Sequence, residues 1–202
     1  MATTICGPDG RPRCHWCTAT PQYLAYHDNE WGFPVDDDRR LFEKLSLEGF
    51  QAGLSWRTIL DKRDNFRAAF ENFEIDRVAR FGERDVRRLL ADEGIVRHRG
   101  KIEAVIHNAR CARELIDEHG SLAAYVWRYE EAEPAPAGAP PVSTSAASVA
   151  MSKALKKLGW KFVGPTTVYA FMQAMGLVND HAEDCVMREQ AQRARRAFRR
   201  PA

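Results

Sequence analysis

The stretch Ile102-Glu103-Ala104-Val105-Ile106-His107-Asn108-Ala109-Arg110-Cys111-Ala112-Arg113-Glu114-Leu115-Ile116 decides the fold class. Ile102, Val105, Ile106 and Ala109, continued by Arg113 and Ile116, recur at spacings of three and four. That period gathers an apolar stripe on one face of a helix over residues 97–118. Gly120 stands where such a helix ends. Outward from this helix, the pattern from Asp36 to Gly120 stays helical, with no alternating run of β-branched residues. Leu41, Leu45, Glu48 and Ala52 share one face of an earlier helix, and Val86, Leu89 and Leu90 mark a short one after Gly82. Helices resume over Val149 to Leu158 and Thr166 to Met175, where Val168, Phe171, Met172 and Met175 repeat the spacing. The expectation is an all-α protein. Between these halves, residues 130–148 carry Pro134, Pro136, Pro140 and Pro141 among Ala, Ser and Thr, a composition that reads as a loop crossing the surface.

With 202 residues, 45% of them hydrophobic and 29% charged, the chain has the size of one ordinary domain. No apolar run approaches the roughly 18–20 residues that cross a bilayer, and no basic-then-apolar leader opens the sequence. Membrane spanning and secretion are therefore not expected. Five cysteines are too few and too irregular for a disulfide scaffold, which favours a reducing compartment, the cytoplasm. The net charge is +2, yet residues 188–202 hold six Arg and one Glu, leaving a balance of −3 on residues 1–187. Any attraction to phosphate has to come from a local patch. The tail around Arg193, Arg195, Arg196, Arg199 and Arg200 reads either as a solvated end or as an extra phosphate-binding arm.

Possible metal ligands cluster at both ends of the chain. Cys14, Cys17 and His27 lie near the start, and His181 and Cys185 are spaced to share one side of a turn or helix near the end. Cys14 and His27 would complete a tetrahedral Cys₂His₂ set with them, the closed coordination that suits structural zinc. Cys14 with Cys17 is an equal rival, either as a zinc pair or as a redox pair.

Leu158-Gly159-Trp160-Lys161-Phe162-Val163-Gly164-Pro165-Thr166 frames a short apolar turn with two glycines just before a helix. Thr166 and Thr167 would sit where unpaired N–H groups meet an anion, the layout of a helix-hairpin-helix phosphate binder. Pro165 removes one such N–H. Lys153, Lys156, Lys157 and Lys161 supply the local positive patch. Tyr23, Tyr26 and Trp31 cluster with His27, Asp28 and Glu30, and Trp16 lies shortly upstream. Ring faces near carboxylates suit a flat, positively charged ring. Glu48 falls on an apolar helix face, where an ionised carboxylate needs a ligand, a buried Arg or a backbone amide to satisfy it.

Five segments together resemble the DNA-3-methyladenine glycosylase I family, the constitutive alkylation-repair enzymes of bacteria. They are Tyr23 to Gly32, Leu47 to Trp56, Gly94 to Ile102, Ser152 to Lys157 and Gly176 to His181, and the likeness runs from about Arg13 to Cys185. The resemblance implies a helix-hairpin-helix glycosylase fold with one structural zinc on Cys14, His27, His181 and Cys185, leaving Cys17 an extra thiol. It places the damaged base against Tyr26, Glu48 and Trp56, with Trp16 and Trp31 around the pocket and Glu48 as the catalytic residue. It further implies DNA contacts by Leu54, which would enter the gap left in the duplex, and by Lys161, Gly164 and Thr166.

The activity so implied is excision of 3-methyladenine from alkylated double-stranded DNA, leaving an abasic site with no lyase step. A monomer acting in the bacterial cytoplasm, at the nucleoid, is the expected state. Residues 1–12 then form an N-terminal extension, 13–187 one helical domain and 188–202 an Arg-rich tail. Two rivals make different predictions. One is a zinc-stabilised, non-catalytic helix-hairpin-helix DNA-binding module, and the other is a redox protein built on Cys14 and Cys17.

Overall fold

The computed structural model describes residues 4–131 and 142–202. In chain order it holds a two-stranded hairpin, β1 (Thr4–Cys6) and β2 (Pro12–Cys14), followed by α1 (Pro21–Asn29), α2 (Asp38–Gln51), α3 (Trp56–Asp61) and α4 (Arg63–Ala69). Then come α5 (Ile75–Val78), α6 (Glu83–Ala91), α7 (Arg99–His119), α8 (Leu122–Val126), α9 (Ala146–Lys157), α10 (Pro165–Ala174) and α11 (Arg188–Ala197). Single 3-10 turns at His15–Ala19, Glu71–Phe73 and Trp127–Tyr129 join some of these. The all-α expectation holds, and the antiparallel strand pair, with Thr4 opposite Cys14, is a minor addition.

Helix boundaries follow capping chemistry. The His98 side chain accepts the Lys101 N–H at the start of α7, and Gly120 with φ +83° ends it. Asp37 caps α2 through the Arg40 N–H. Its neighbour Asp38 accepts the N–H groups of Leu122 and Ala123 at 3.0 and 2.8 Å, so one carboxylate satisfies the first turn of α8 from another helix.

Helix α2 is the centre of the molecule. Every residue from Leu41 to Phe50 is buried, because α3, α7, α8 and α10 all pack on it. The sequence pattern indicates one apolar face here. The charged residues of this stretch are inside too, each with a partner: Glu43 with Arg67 at 2.8 Å and Glu48, on the apolar face itself, with Lys44 at 2.7 Å. Phe50, Phe66, Phe70 and Phe73 form a ladder of rings beside this helix, with successive centroids 4.6, 6.4 and 5.4 Å apart. Each contributes about 1.5–3 kcal/mol through burial.

The loop expected over 130–148 is shorter on its far side, since Ser145 caps α9 from Ala146 onward. Residues 132–141, which include the four prolines of that loop, lie outside the described residues.

The Arg-rich segment is a helix end with Arg193, Arg196, Arg199 and Arg200 exposed, and it departs from a solvated one at Arg195. It forms α11, and Arg195 is 1% exposed, with its guanidinium donating to the carbonyls of Gly176 at 2.7 Å, Leu177 at 3.1 Å and Glu131. Arg200 pairs with Glu130 at 2.7 Å, and Phe198 packs on Trp127. The composition of the segment hides that one of its arginines is an internal ligand for helix-end carbonyls. Among the described residues, no helix is long and apolar enough to cross a membrane.

Candidate functional site

Two structures built from the first thirty residues and their partners share a wall. One is a donor cluster. Cys14 at the end of β2, His27 on α1, and His181 and Cys185 in the segment before α11 are all buried, and their ligand atoms lie within 4.8 Å of one another. His181 Nδ1 is 3.8 Å from Cys14 Sγ and 3.6 Å from Cys185 Sγ, while His27 Nε2 is 3.5 Å from Cys185 Sγ.

The far nitrogens of both rings are also occupied: His27 Nδ1 lies 2.7 Å from Asp28 and His181 Nε2 lies 3.2 Å from the Trp31 carbonyl. Such outer partners fix which nitrogen each imidazole turns inward. Asp28 itself is held by Arg13. Gly32, at φ +84°, allows the chain to pass close by, since a Cβ there would come within 2.8 Å of His181 Nε2.

Chemically the cluster has the donors that could hold a cation. The hydrogen bond with Cys14, aided by His181 and His27, holds the Cys185 thiol far below its usual range, and the same pairing pushes Cys14 up. Metal ligation likewise favours deprotonated thiols. Burial opposes charge on His27, but the acceptors Cys17, Cys185 and Asp28 outweigh it and raise the imidazole to about 10. Of the two ligand choices open at the residue level, the geometry gathers His27 with Cys14 rather than Cys17, which is buried beside the group.

The other structure is the ring cluster. Trp16 touches Tyr23 at 5.0 Å, Tyr26 at 6.4 Å, His27 at 5.2 Å and Trp31 at 5.1 Å between ring centroids. Tyr26 meets Trp56, at the start of α3, at 5.6 Å. Trp31 lies on the metal-donor side, 4.6 Å from the ring of His181.

Glu48 reaches this cluster from α2 and is 5% exposed. Its Oε1 accepts from Lys44 Nζ at 2.7 Å, and Lys44 also donates to Tyr26 Oη at 2.8 Å. Burial, opposed by Glu48, lowers Lys44 to about 8. Burial next to Glu48 keeps Tyr26 protonated. Glu48 Oε2 and Trp56 Nε1 are buried with no hydrogen-bond partner. A buried acceptor and donor left unsatisfied are costly unless a ligand meets them. The sequence reading missed Lys44, although it stands one helical turn before Glu48.

The residues read as contacting DNA lie in the α2–α3 turn, in the hairpin before α10 and, for Thr166, in the first turn of α10. Leu54 is 43% exposed, beside Gly53 at φ +83° in the α2–α3 turn. Buried Lys101 anchors that turn by donating to the carbonyls of Phe50 at 2.8 Å and Ala52 at 2.5 Å. Lys161 and Thr166 are exposed. Gly164 precedes α10, whose N-terminus no side chain caps. Asn108 from α7 clamps the hairpin, accepting the Lys161 N–H at 2.8 Å and donating to the Lys161 carbonyl at 2.9 Å. Sequence reasoning missed this clamp as well. Asp180 accepts from Tyr169 Oη and Gln173 Nε2.

With the hairpin between α9 and α10 set on an all-helical body, the class is that of helix-hairpin-helix proteins. The chain belongs to the methyladenine glycosylase family, whose model matches residues 16–189. It is 52% identical over 178 residues to DNA-3-methyladenine glycosylase 1 of Escherichia coli (strain K12), covering 86% of this chain and 95% of that protein. A crystal structure of 3-methyladenine DNA glycosylase I matches with a TM-score of 0.81 at 50% identity, over 86% of this chain and 98% of that one. The 3-methyladenine DNA glycosylase I of Staphylococcus aureus, whose structure addresses the recognition of 3-methyladenine, matches with a TM-score of 0.81 at 37% identity. That match covers 85% of this chain and 93% of that one.

Proposed function

We propose that this chain excises 3-methyladenine from alkylated double-stranded DNA as a monofunctional glycosylase, leaving an abasic site. The observation that carries the reading is Glu48, a buried carboxylate among the rings of Tyr26 and Trp56 with one oxygen unpaired. Methylation at N3 gives adenine a positive charge, and the base still offers an exocyclic amine as a donor. Glu48 Oε2 can accept that amine and oppose the charge, while the faces of Tyr26 and Trp56 hold the flat ring.

A base inside a duplex is out of reach, so the nucleotide rotates outward at a cost of a few kcal/mol, less for a damaged pair. Leu54 would then enter the gap, and Lys161, Gly164 and Thr166 would hold the backbone. The charged base is already an activated leaving group. The glycosidic electron pair departs onto it and neutralises it, the sugar gains oxocarbenium character, and water adds to the sugar carbon with loss of a proton. Little acid catalysis is needed, so tight binding of the reacting geometry supplies much of the rate.

The donors Cys14, His27, His181 and Cys185 fit one zinc ion, by number, type and burial, which when bound would tie the N-terminal and C-terminal segments together. Residues 13–187 are read as the catalytic domain, working as a cytoplasmic monomer. A non-catalytic DNA-binding module has no use for a desolvated carboxylate facing rings. The test is base release from methylated duplex DNA with identification of the product. Release of 3-methyladenine by the wild type and its loss in Glu48→Gln support the reading, while release at the wild-type rate by Glu48→Gln refutes the role of Glu48.

A further inference from the structure

The glycosylase reading leaves one charge inside the ring cluster without a task. Lys44 is buried on α2, and its ammonium donates to Glu48 Oε1 at 2.7 Å and to Tyr26 Oη at 2.8 Å. It lies 3.2 Å from the centroid of the Trp56 ring and 5.1 Å from that of Tyr26. A carboxylate and two ring faces around a nitrogen cation form the arrangement by which proteins recognise cationic ligands. Here the chain supplies its own cation.

We propose that Lys44 is a specificity-determining residue of the base pocket: its ammonium holds the cation position between Trp56, Tyr26 and Glu48, and a charged base takes that position only by displacing it. The inference rests on the base-pocket reading given above. Two positive charges cannot share one buried carboxylate without strong repulsion, so binding is an exchange of one cation for another. A methylated purine brings the charge and the hydrogen-bond donor that the ammonium gives up. An ordinary purine is neutral and leaves the Lys44–Glu48 pair intact, so undamaged bases are refused even when they rotate out of the helix. The same pair keeps Glu48 from standing as an isolated buried charge.

The exchange depends on the charge of Lys44, and its surroundings define the pH window. Facing Lys44 are Glu48 from its own helix, Tyr26 from α1, Glu30 just past the end of α1, and Arg63 from α4. Arg63 is paired to Glu30 at 2.7 Å, and both Arg63 and Tyr26 hold their protons more tightly than usual. Lys44, lowered to about 8, loses its charge between neutral and mildly alkaline pH. Below that point the ammonium competes, and above it the competition fades.

The experiment measures KM for 3-methyladenine release from methylated duplex DNA near pH 7 and near pH 9, for wild type, Lys44→Met and Lys44→Arg. In the wild type, KM should fall about ten-fold with rising pH, the equivalent of one desolvated cation–π contact. Lys44→Met should show the low value at both pH values. Lys44→Arg, which stays charged, should show a high value at both. A Lys44→Met enzyme whose KM equals or exceeds that of wild type near pH 7 overturns the proposal. So does a Lys44→Arg enzyme that keeps the wild-type pH response, which holds the test open if Lys44→Met fails to fold. Either result, with 3-methyladenine still released by wild type, leaves the glycosylase reading standing. Absence of release by wild type removes both.

Discussion

At the scale of single residues, the pocket is defined by what its atoms lack. Glu48 uses one oxygen on Lys44 and leaves the other buried without a donor, and Trp56 Nε1 is in the same position as a donor without an acceptor. Glu48→Gln preserves shape but removes the charge proposed to meet a cationic base. We expect kcat/KM for 3-methyladenine release to fall roughly ten- to hundred-fold, the size of one hydrogen bond to a charged group. Circular dichroism should be unchanged, and a steady-state comparison on methylated DNA checks the loss. Glu48 was legible in the sequence because a carboxylate on an apolar face asks for an explanation. Its partner was not, because Lys44 looks like a solvated surface residue until α2 is known to be surrounded. The burial of all ten residues from Leu41 to Phe50 is a property of the neighbours packed on that helix, and no local pattern encodes it.

At the scale of elements, the helices are written in the chain by spacing and caps, whereas the connections are held by distant groups. The stripe from Ile102 to Ile116 and its closing Gly120 define α7, whose observed span is Arg99–His119. The hairpin between α9 and α10 is marked by Gly159 and Gly164, yet its conformation depends on Asn108, more than fifty residues earlier in the chain. Asn108→Ala removes two hydrogen bonds to the Lys161 backbone and should cost about 2 kcal/mol. For a chain of this size that is a fall in Tm of about 4–8 °C. A loosened hairpin should also weaken binding to undamaged duplex DNA, measurable by fluorescence anisotropy at fixed salt. Asn108→Asp retains the acceptor for the Lys161 N–H and should recover part of both losses. Full DNA affinity in Asn108→Ala would show that the clamp has no part in DNA binding. The β1–β2 hairpin, by contrast, has no alternating signal: its Gly7-Pro8-Asp9-Gly10 turn is fixed by Arg13, which spans Asp9 and Asp28.

At the scale of the whole molecule, the two chain ends meet the body through buried polar groups rather than through apolar surface alone. Arg195 joins α11 to the carbonyls that end α10 and to the segment following the Trp127–Tyr129 turn. Arg195→Met strands those acceptors, and unfolding should shift down by about 3 kcal/mol, or about 6–12 °C in Tm. The donor cluster brings β2, α1 and the residues before α11 together at a second place. It also touches the pocket, because Trp31 lies against both His181 and His27, and Trp16 bridges His27 to Tyr26. If these donors hold zinc as proposed, removing it with a chelator is expected to do more than free the termini. It should lower Tm, shift tryptophan emission to the red as Trp16 and Trp31 gain water, and reduce release of 3-methyladenine in the same titration. Adding zinc back should restore all three together. A chelated protein with one metal equivalent lost, yet with Tm, emission and base release unchanged, would show that the four donors are not a structural metal site.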